Sequence, residues 1–249
     1  MDSDETLGQE RRLFMRNGIA LLAAGSVPAL LSGCATAGSY SNVGDHDAST
    51  ISAGDEWAYD ELNGYNRERQ AQIRYVAEAG TGASPVLRLE VQGKPLSGLR
   101  HDQLEEYDAP WVVTRDSVYD YDNLYNPPLP LLPALLEPGA RESWQSMVVH
   151  DPKSRARRWH VQIDALRTET VTVPAGTFEA LRVRRLIKFE HPDFFRSHSE
   201  RVENLWYAPE VKRWVKREWR GQYLQKLRAR MPYFREDWIV WELTSFRVA

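Results

Sequence analysis

Apolar and polar residues alternate one for one over long stretches of this chain. Leu87, Leu89 and Val91 stand against Arg88 and Glu90, and Trp159, Val161 and Ile163 stand against His160, Gln162 and Asp164. A period of two belongs to a strand with one buried and one wet face, not to a helix. Further strands are expected near 71–78, 100–107, 111–115, 141–149, 169–173, 178–190, 198–207, 213–220 and 236–248. Asn63-Gly64 reads as a hairpin turn, and Asp151-Pro152-Lys153-Ser154 as a second turn. Helical candidates are confined to Leu129–Leu136, bracketed by prolines, and Gln222–Arg230. With so little helix to cover it, the sheet must bury its apolar rows by curling on itself. The expected fold is mainly β: a single domain of strongly curved antiparallel sheet, half-barrel or barrel-like, with about ten strands and one or two short helices. A barrel that wide has room for a small-ligand cavity.

The N-terminal residues obey a different pattern. Arg11, Arg12 and Arg16 precede an apolar run from Gly18 that passes through small residues to Gly33. This is the layout of a secretory signal peptide, and at 16 residues with Pro28 inside it is too short for a membrane span, which needs ~20. Leu31-Ser32-Gly33-Cys34 resembles the lipobox of bacterial lipoproteins, which implies cleavage after Gly33 and lipidation of Cys34, the only cysteine. Arg11, Arg12 and Phe14 resemble a twin-arginine export signal; Glu10 and Met15 depart from its usual residues, and a general secretory signal is the alternative. Ala35 after the cysteine implies the periplasmic side of the outer membrane by the enteric sorting rule, with the inner membrane as the alternative. The expected organisation is a signal peptide (1–33), a flexible tether (34–54, polar and glycine-rich) and an antiparallel β domain (55–249) held to the membrane by its lipid.

Charge excludes one class of partner. Without residues 1–33 the chain carries 29 basic and 31 acidic side chains, which argues against nucleic-acid binding. The distribution is uneven: residues 34–140 hold 7 basic and 17 acidic, residues 141–249 hold 22 and 14. The acidic half is a candidate partner for the basic one.

Three segments carry a resemblance within the domain. Val171-Thr172-Val173-Pro174-Ala175-Gly176-Thr177-Phe178, Trp206-Tyr207-Ala208-Pro209-Glu210-Val211 and Glu242-Leu243-Thr244-Ser245-Phe246 resemble the markers of a group of bacterial envelope proteins. That resemblance implies a β-rich periplasmic domain and brings no reaction with it. Physically, Pro174–Thr177 is a turn with a positive φ at Gly176, and Pro209 ends a strand.

No nucleophile elbow, phosphate loop or zinc-protease motif is present. His191, Asp193 and His198 are close but lack a further ligand at zinc spacing, so neither metal nor cofactor is expected; His150 and His160 could face each other across a hairpin. Glu105, Glu106, Asp108, Asp116, Asp120 and Asp122 could supply the acidic pair of an envelope hydrolase. The segment Leu129–Leu136 either packs over the open end of the sheet or forms a lid, with Leu129, Leu132 and Leu135 as its apolar contacts. Trp206 and Trp238 serve either as core or as cavity walls. Two basic clusters (Arg155, Arg157, Arg158; Lys212, Arg213, Lys216, Arg217, Arg220) are either solvated strand faces or contacts for lipid phosphates. The expected function is a non-catalytic, lipid-anchored envelope protein that binds an apolar or amphipathic ligand or supports envelope assembly. A hydrolase and a structural adaptor are the alternatives.

Overall fold

A computed structural model describes residues 51–78, 84–119, 121–226 and 232–249. Arg11, Arg12, Phe14, Cys34, most of the tether, Asp120 and residues 227–230 of the second helical candidate lie outside the described residues. Thirteen strands follow in chain order: β1 (Glu56–Asn63), β2 (Arg69–Ala77), β3 (Val86–Gly93), β4 (Leu104–Ala109), β5 (Val112–Asp116), β6 (Asn123–Pro130), β7 (Arg141–Val149), β8 (Arg157–Val173), β9 (Gly176–Phe189), β10 (Arg196–Ala208), β11 (Arg213–Gln225), β12 (Tyr233–Arg235) and β13 (Ile239–Arg247).

β1 to β10 pair in sequence order, β13 joins β1 to β11, and β11 pairs with β10, so twelve antiparallel strands close a barrel. β12 adds to β11 beyond the end of β13. Closure removes the exposed edges that an open sheet would offer to other chains. The up-and-down order gives the barrel two ends. The lower end carries Ile51–Asp55, the β6–β7 connection, the β8–β9 turn and the Pro209–Lys212 turn; the upper end carries the β1–β2, β7–β8 and β9–β10 connections and β12.

A barrel of about eight strands can be filled by aliphatic side chains, whereas twelve enclose a wider space. Large side chains fill it here. Trp57, Trp159, Trp214, Trp241, Arg185, Arg213 and Arg217 are the bulkiest fully buried residues. The alternation read from the sequence is the alternation of this interior with the wet outside, as in β2, where Ala71, Ile73, Tyr75 and Ala77 are buried.

Four sequence expectations need correction. Leu129–Leu136 is not helical: Leu129 and Pro130 end β6, and an irregular connection follows. Gln222–Gln225 belongs to β11, and the described helical structure is one short 3-10 turn, Pro209–Val211. β6 itself is a strand despite Pro127, Pro128 and Pro130, because its ladder with β7 stops at Asn126 and its ladder with β5 skips 125–128. Pro127 and Pro128 occupy the gap, where no donor is needed, and Pro130 is the last residue of the strand, opposite Val112. The β1–β2 connection is a five-residue loop, with the positive φ at Arg67 rather than Gly64. Gly64 is required for space instead: a Cβ there would lie 2.3 Å from the Trp238 ring.

Candidate functional site

The barrel interior is charged, and its charges are paired. Glu203 accepts from Arg217 Nε at 2.7 Å, from Tyr119 OH at 2.8 Å and from Arg185. Burial pushes the Glu203 carboxyl up, but Arg217 and Arg185 outweigh it and hold the group below its ordinary range. Nearer the lower end, Arg213 donates to Glu105 at 2.7 Å, Tyr107 OH donates to the same carboxylate, and the guanidinium stacks 3.9 Å from the Trp214 ring and 4.2 Å from Tyr75. Glu61 accepts from Trp241 Nε1 at 2.9 Å and from Ser97. Asp116 is pushed up to about 7, first by burial, with the Asn123 hydrogen bond opposing and the charge of Glu105 adding.

These contacts divide the predicted basic cluster on β11. Arg213 and Arg217 point into the barrel and neutralise acids of the first half and of β10, while Lys216 and Arg220 lie on the outer face. The expected pairing of acidic and basic halves is visible in Arg213–Glu105, Lys212–Asp55 and Arg247–Glu56. Many other ion pairs form within one half, such as Arg74–Glu90 and Arg184–Asp164.

The candidate acids and histidines are dispersed. Glu105 and Asp116 are inside, Glu106 and Asp122 bind Arg115, and none of these four lines the cavity described below. His160 sits 3.3 Å from Ser143 Oγ, whereas His150 packs against Tyr121 at 4.9 Å, so the two histidines do not face each other. His191 is buried, accepts from the Asp193 N–H at 3.0 Å and is pushed down to about 3 by burial and Arg196. No group of three or more metal-ligating side chains occurs among the described residues.

The three marker segments meet where the β8–β9 hairpin reaches its neighbours near the lower end. The tip of the long β8–β9 hairpin crosses to β13: the Ala175 N–H donates to Leu243 O at 2.9 Å, and Phe178 stacks edge-on with Phe246 at 5.9 Å. Trp206 faces outward beneath this arm, donating to Glu169 at 2.6 Å between Arg182 and Lys216. Gly176 holds φ +143°, the conformation its place in the turn requires.

The arm and the β6–β7 connection bound a cavity of about 510 Å³ at the lower mouth. Leu135, Leu136, Leu181 and Tyr207 form its apolar wall, and Glu137, Glu179 and Glu210 bring three carboxylates to it. The volume lies within the ordinary range of small-molecule sites. Of the five residues proposed from sequence, Leu135 lines this cavity and is 65% exposed; Leu129 and Leu132 are core. Trp206 is under the arm, and Trp238 packs on Gly64 and Tyr65 at the upper end. Leu181 and Tyr207 were missed because each reads as an ordinary strand residue. The β9–β10 ladder sets them side by side, and only the closed barrel brings them beside the β6–β7 connection.

No protein-family model matches the chain, and no curated protein does. Two solved structures resemble it. One is described as a "putative exported protein with YmcC-like fold" from Bacteroides fragilis NCTC 9343, with 12% identity over 79% of this chain and 97% of that one, at a TM-score of 0.39. The other is a "putative lipoprotein" from Parabacteroides distasonis ATCC 8503, with 11% identity over 80% and 99%, at a TM-score of 0.40. Overlap of this degree says nothing of ligand or partner.

Proposed function

We propose that the chain is a lipid-anchored protein of the bacterial envelope, exported by a twin-arginine signal and held through Cys34, whose lower mouth binds the apolar part of an amphipathic ligand. One observation carries this reading. The apolar-walled cavity opens at the end where the chain joins the barrel, since Asp55 pairs with Lys212 in the turn directly after Pro209 and Glu210 of the cavity wall. The wall suits the apolar part of such a ligand, and the carboxylates at its edge meet the head.

The lining also selects. Three glutamates disfavour a phosphate or carboxylate headgroup and suit a neutral or cationic one. The barrel interior is largely filled by its own Trp, Tyr and Arg side chains, and the space left near its upper end, about 200 Å³ beside Arg201, Glu236 and Asp237, is smaller and more charged than the lower mouth. Titration with the uncharged probe N-phenyl-1-naphthylamine tests the reading. Saturable fluorescence enhancement that falls at least tenfold in affinity in Leu135→Asp, at the exposed cavity wall, supports it. Equal enhancement in the two proteins, with unchanged folding, contradicts it.

A further inference from the structure

The upper end differs from the lower in both charge and apolar exposure. Phe194 of the β9–β10 turn is 87% exposed, and Tyr233 and Phe234 of β12 are 63% and 41% exposed. The two elements form one rim: the Lys226 N–H donates to Phe195 O at 2.7 Å, Arg196 lies 4.4 Å over the Tyr223 ring, and Tyr223 stacks on Phe234. The β7–β8 turn extends the rim, through Arg157 donating to Pro192 O and the Glu190 N–H donating to Arg158 O. Arg158, Lys226 and Arg235 are exposed here, with no carboxylate partner for their side chains among the described residues.

We propose that this rim is a membrane-docking surface whose occupant is the headgroup layer of an anionic phospholipid bilayer. Phe194 stands on the β9–β10 turn and Tyr233 and Phe234 on β12, with Arg196, Lys226 and Arg235 among them. A bilayer interface accepts aromatic rings at headgroup depth and draws cations to its phosphates without a fixed geometry. Charge complementarity favours this end over the other, because the lower mouth is lined by Glu137, Glu179 and Glu210.

The anchor does not forbid the contact. At about 3.3 Å per residue and a tilt of about 40°, the thirteen residues of β10 give a barrel height of roughly 33 Å. The sixteen residues between Cys34 and Ile51 have a fully extended length of about 55 Å, so the bilayer that holds the lipid is within reach of the upper rim.

The single cysteine makes the test site-specific. The full chain carrying Cys34→Ala receives a nitrobenzoxadiazole label at Phe194→Cys, at Tyr233→Cys or, as control, at Leu135→Cys. Vesicles of phosphatidylglycerol and phosphatidylethanolamine (1:3) should brighten and blue-shift the label at 194 and 233, and phosphatidylcholine vesicles should not. The label at 135 should stay silent, 0.5 M salt should abolish the response, and Arg158→Gln/Lys226→Gln/Arg235→Gln should weaken it more than tenfold. Silence at both 194 and 233 on anionic vesicles, an equal response on neutral ones, or a response at 135 instead would overturn the proposal. Naphthylamine binding is measured without vesicles, so silence at 194 and 233 leaves the lower-mouth reading standing, whereas a response at 135, which lines that mouth, counts for it and against the docking rim.

Discussion

Replacing Glu203 by glutamine tests how the barrel interior is held together. The carboxylate is fully buried and is shared by Arg185 and Arg217, each 1% exposed, with Tyr119 as third donor. Glutamine keeps the shape and one acceptor oxygen but removes the one carboxylate that, among the described residues, pairs with the two guanidiniums. Breaking a buried pair leaves an uncompensated charge, at a cost of about 3–5 kcal/mol. That is a large share of a typical domain stability of about 5–15 kcal/mol. For a domain of this size it corresponds to a fall in Tm of roughly 6–20 °C. Urea denaturation followed by tryptophan fluorescence should show the loss as a lower midpoint with an unchanged slope. The companion variant Arg185→Met/Glu203→Met/Arg217→Met removes all three charges together and should lie much closer to wild type, since an apolar replacement of an ion cluster is often neutral or stabilising. A loss under about 1 kcal/mol in Glu203→Gln would refute the reasoning, because the arginines would then not depend on Glu203 for their charge balance.

Other perturbations follow from the same structure. Asp116 has a folded pKa near 7, above its unfolded value, so the stability it contributes is full below about pH 4 and is lost as pH rises toward 7. Asp116→Asn should therefore gain in Tm relative to wild type between pH 4 and 7 and hold that gain above; a difference independent of pH would contradict this. Leu132→Asp buries a carboxylate in the core and loses about 1.5–3 kcal/mol of apolar burial besides, whereas Leu135→Asp, at an exposed cavity wall, should leave Tm nearly unchanged and weaken naphthylamine binding. Gly64→Ala should cost about 1–3 kcal/mol by driving a methyl into the Trp238 ring, and Gly64→Ala/Trp238→Leu should recover most of it in thermal melts. Cys34→Ala should accumulate uncleaved, non-acylated precursor in pulse-labelled cells, and normal maturation of that variant would remove the lipid anchor from the account.

The barrel was largely legible because alternation is a direct consequence of a two-faced strand. Val171–Phe178 announced its turn through Pro174 and Gly176, and the structure places the turn there. β6 was hidden because Pro127 and Pro128 argue against a strand unless it is known that its ladders skip those positions. The basic run Lys212–Arg220 was read as one cluster, since sequence spacing alone does not show that Arg213 and Arg217 have buried acids waiting across the barrel. The cavity was the least legible part. Leu135 stood out as an apolar residue in a connection, but its neighbours Leu181 and Tyr207 are 46 and 72 positions further along, on β9 and β10.

The central claim, that the lower mouth holds the apolar part of an amphipathic molecule, is tested most directly by native mass spectrometry of the acylated full chain extracted gently from its own membranes. The expected spectrum shows a bound small molecule of neutral or cationic headgroup, retained in Glu203→Asp and absent from Leu135→Asp. A wild-type spectrum without adduct, or an adduct that persists unchanged in Leu135→Asp, would contradict the claim.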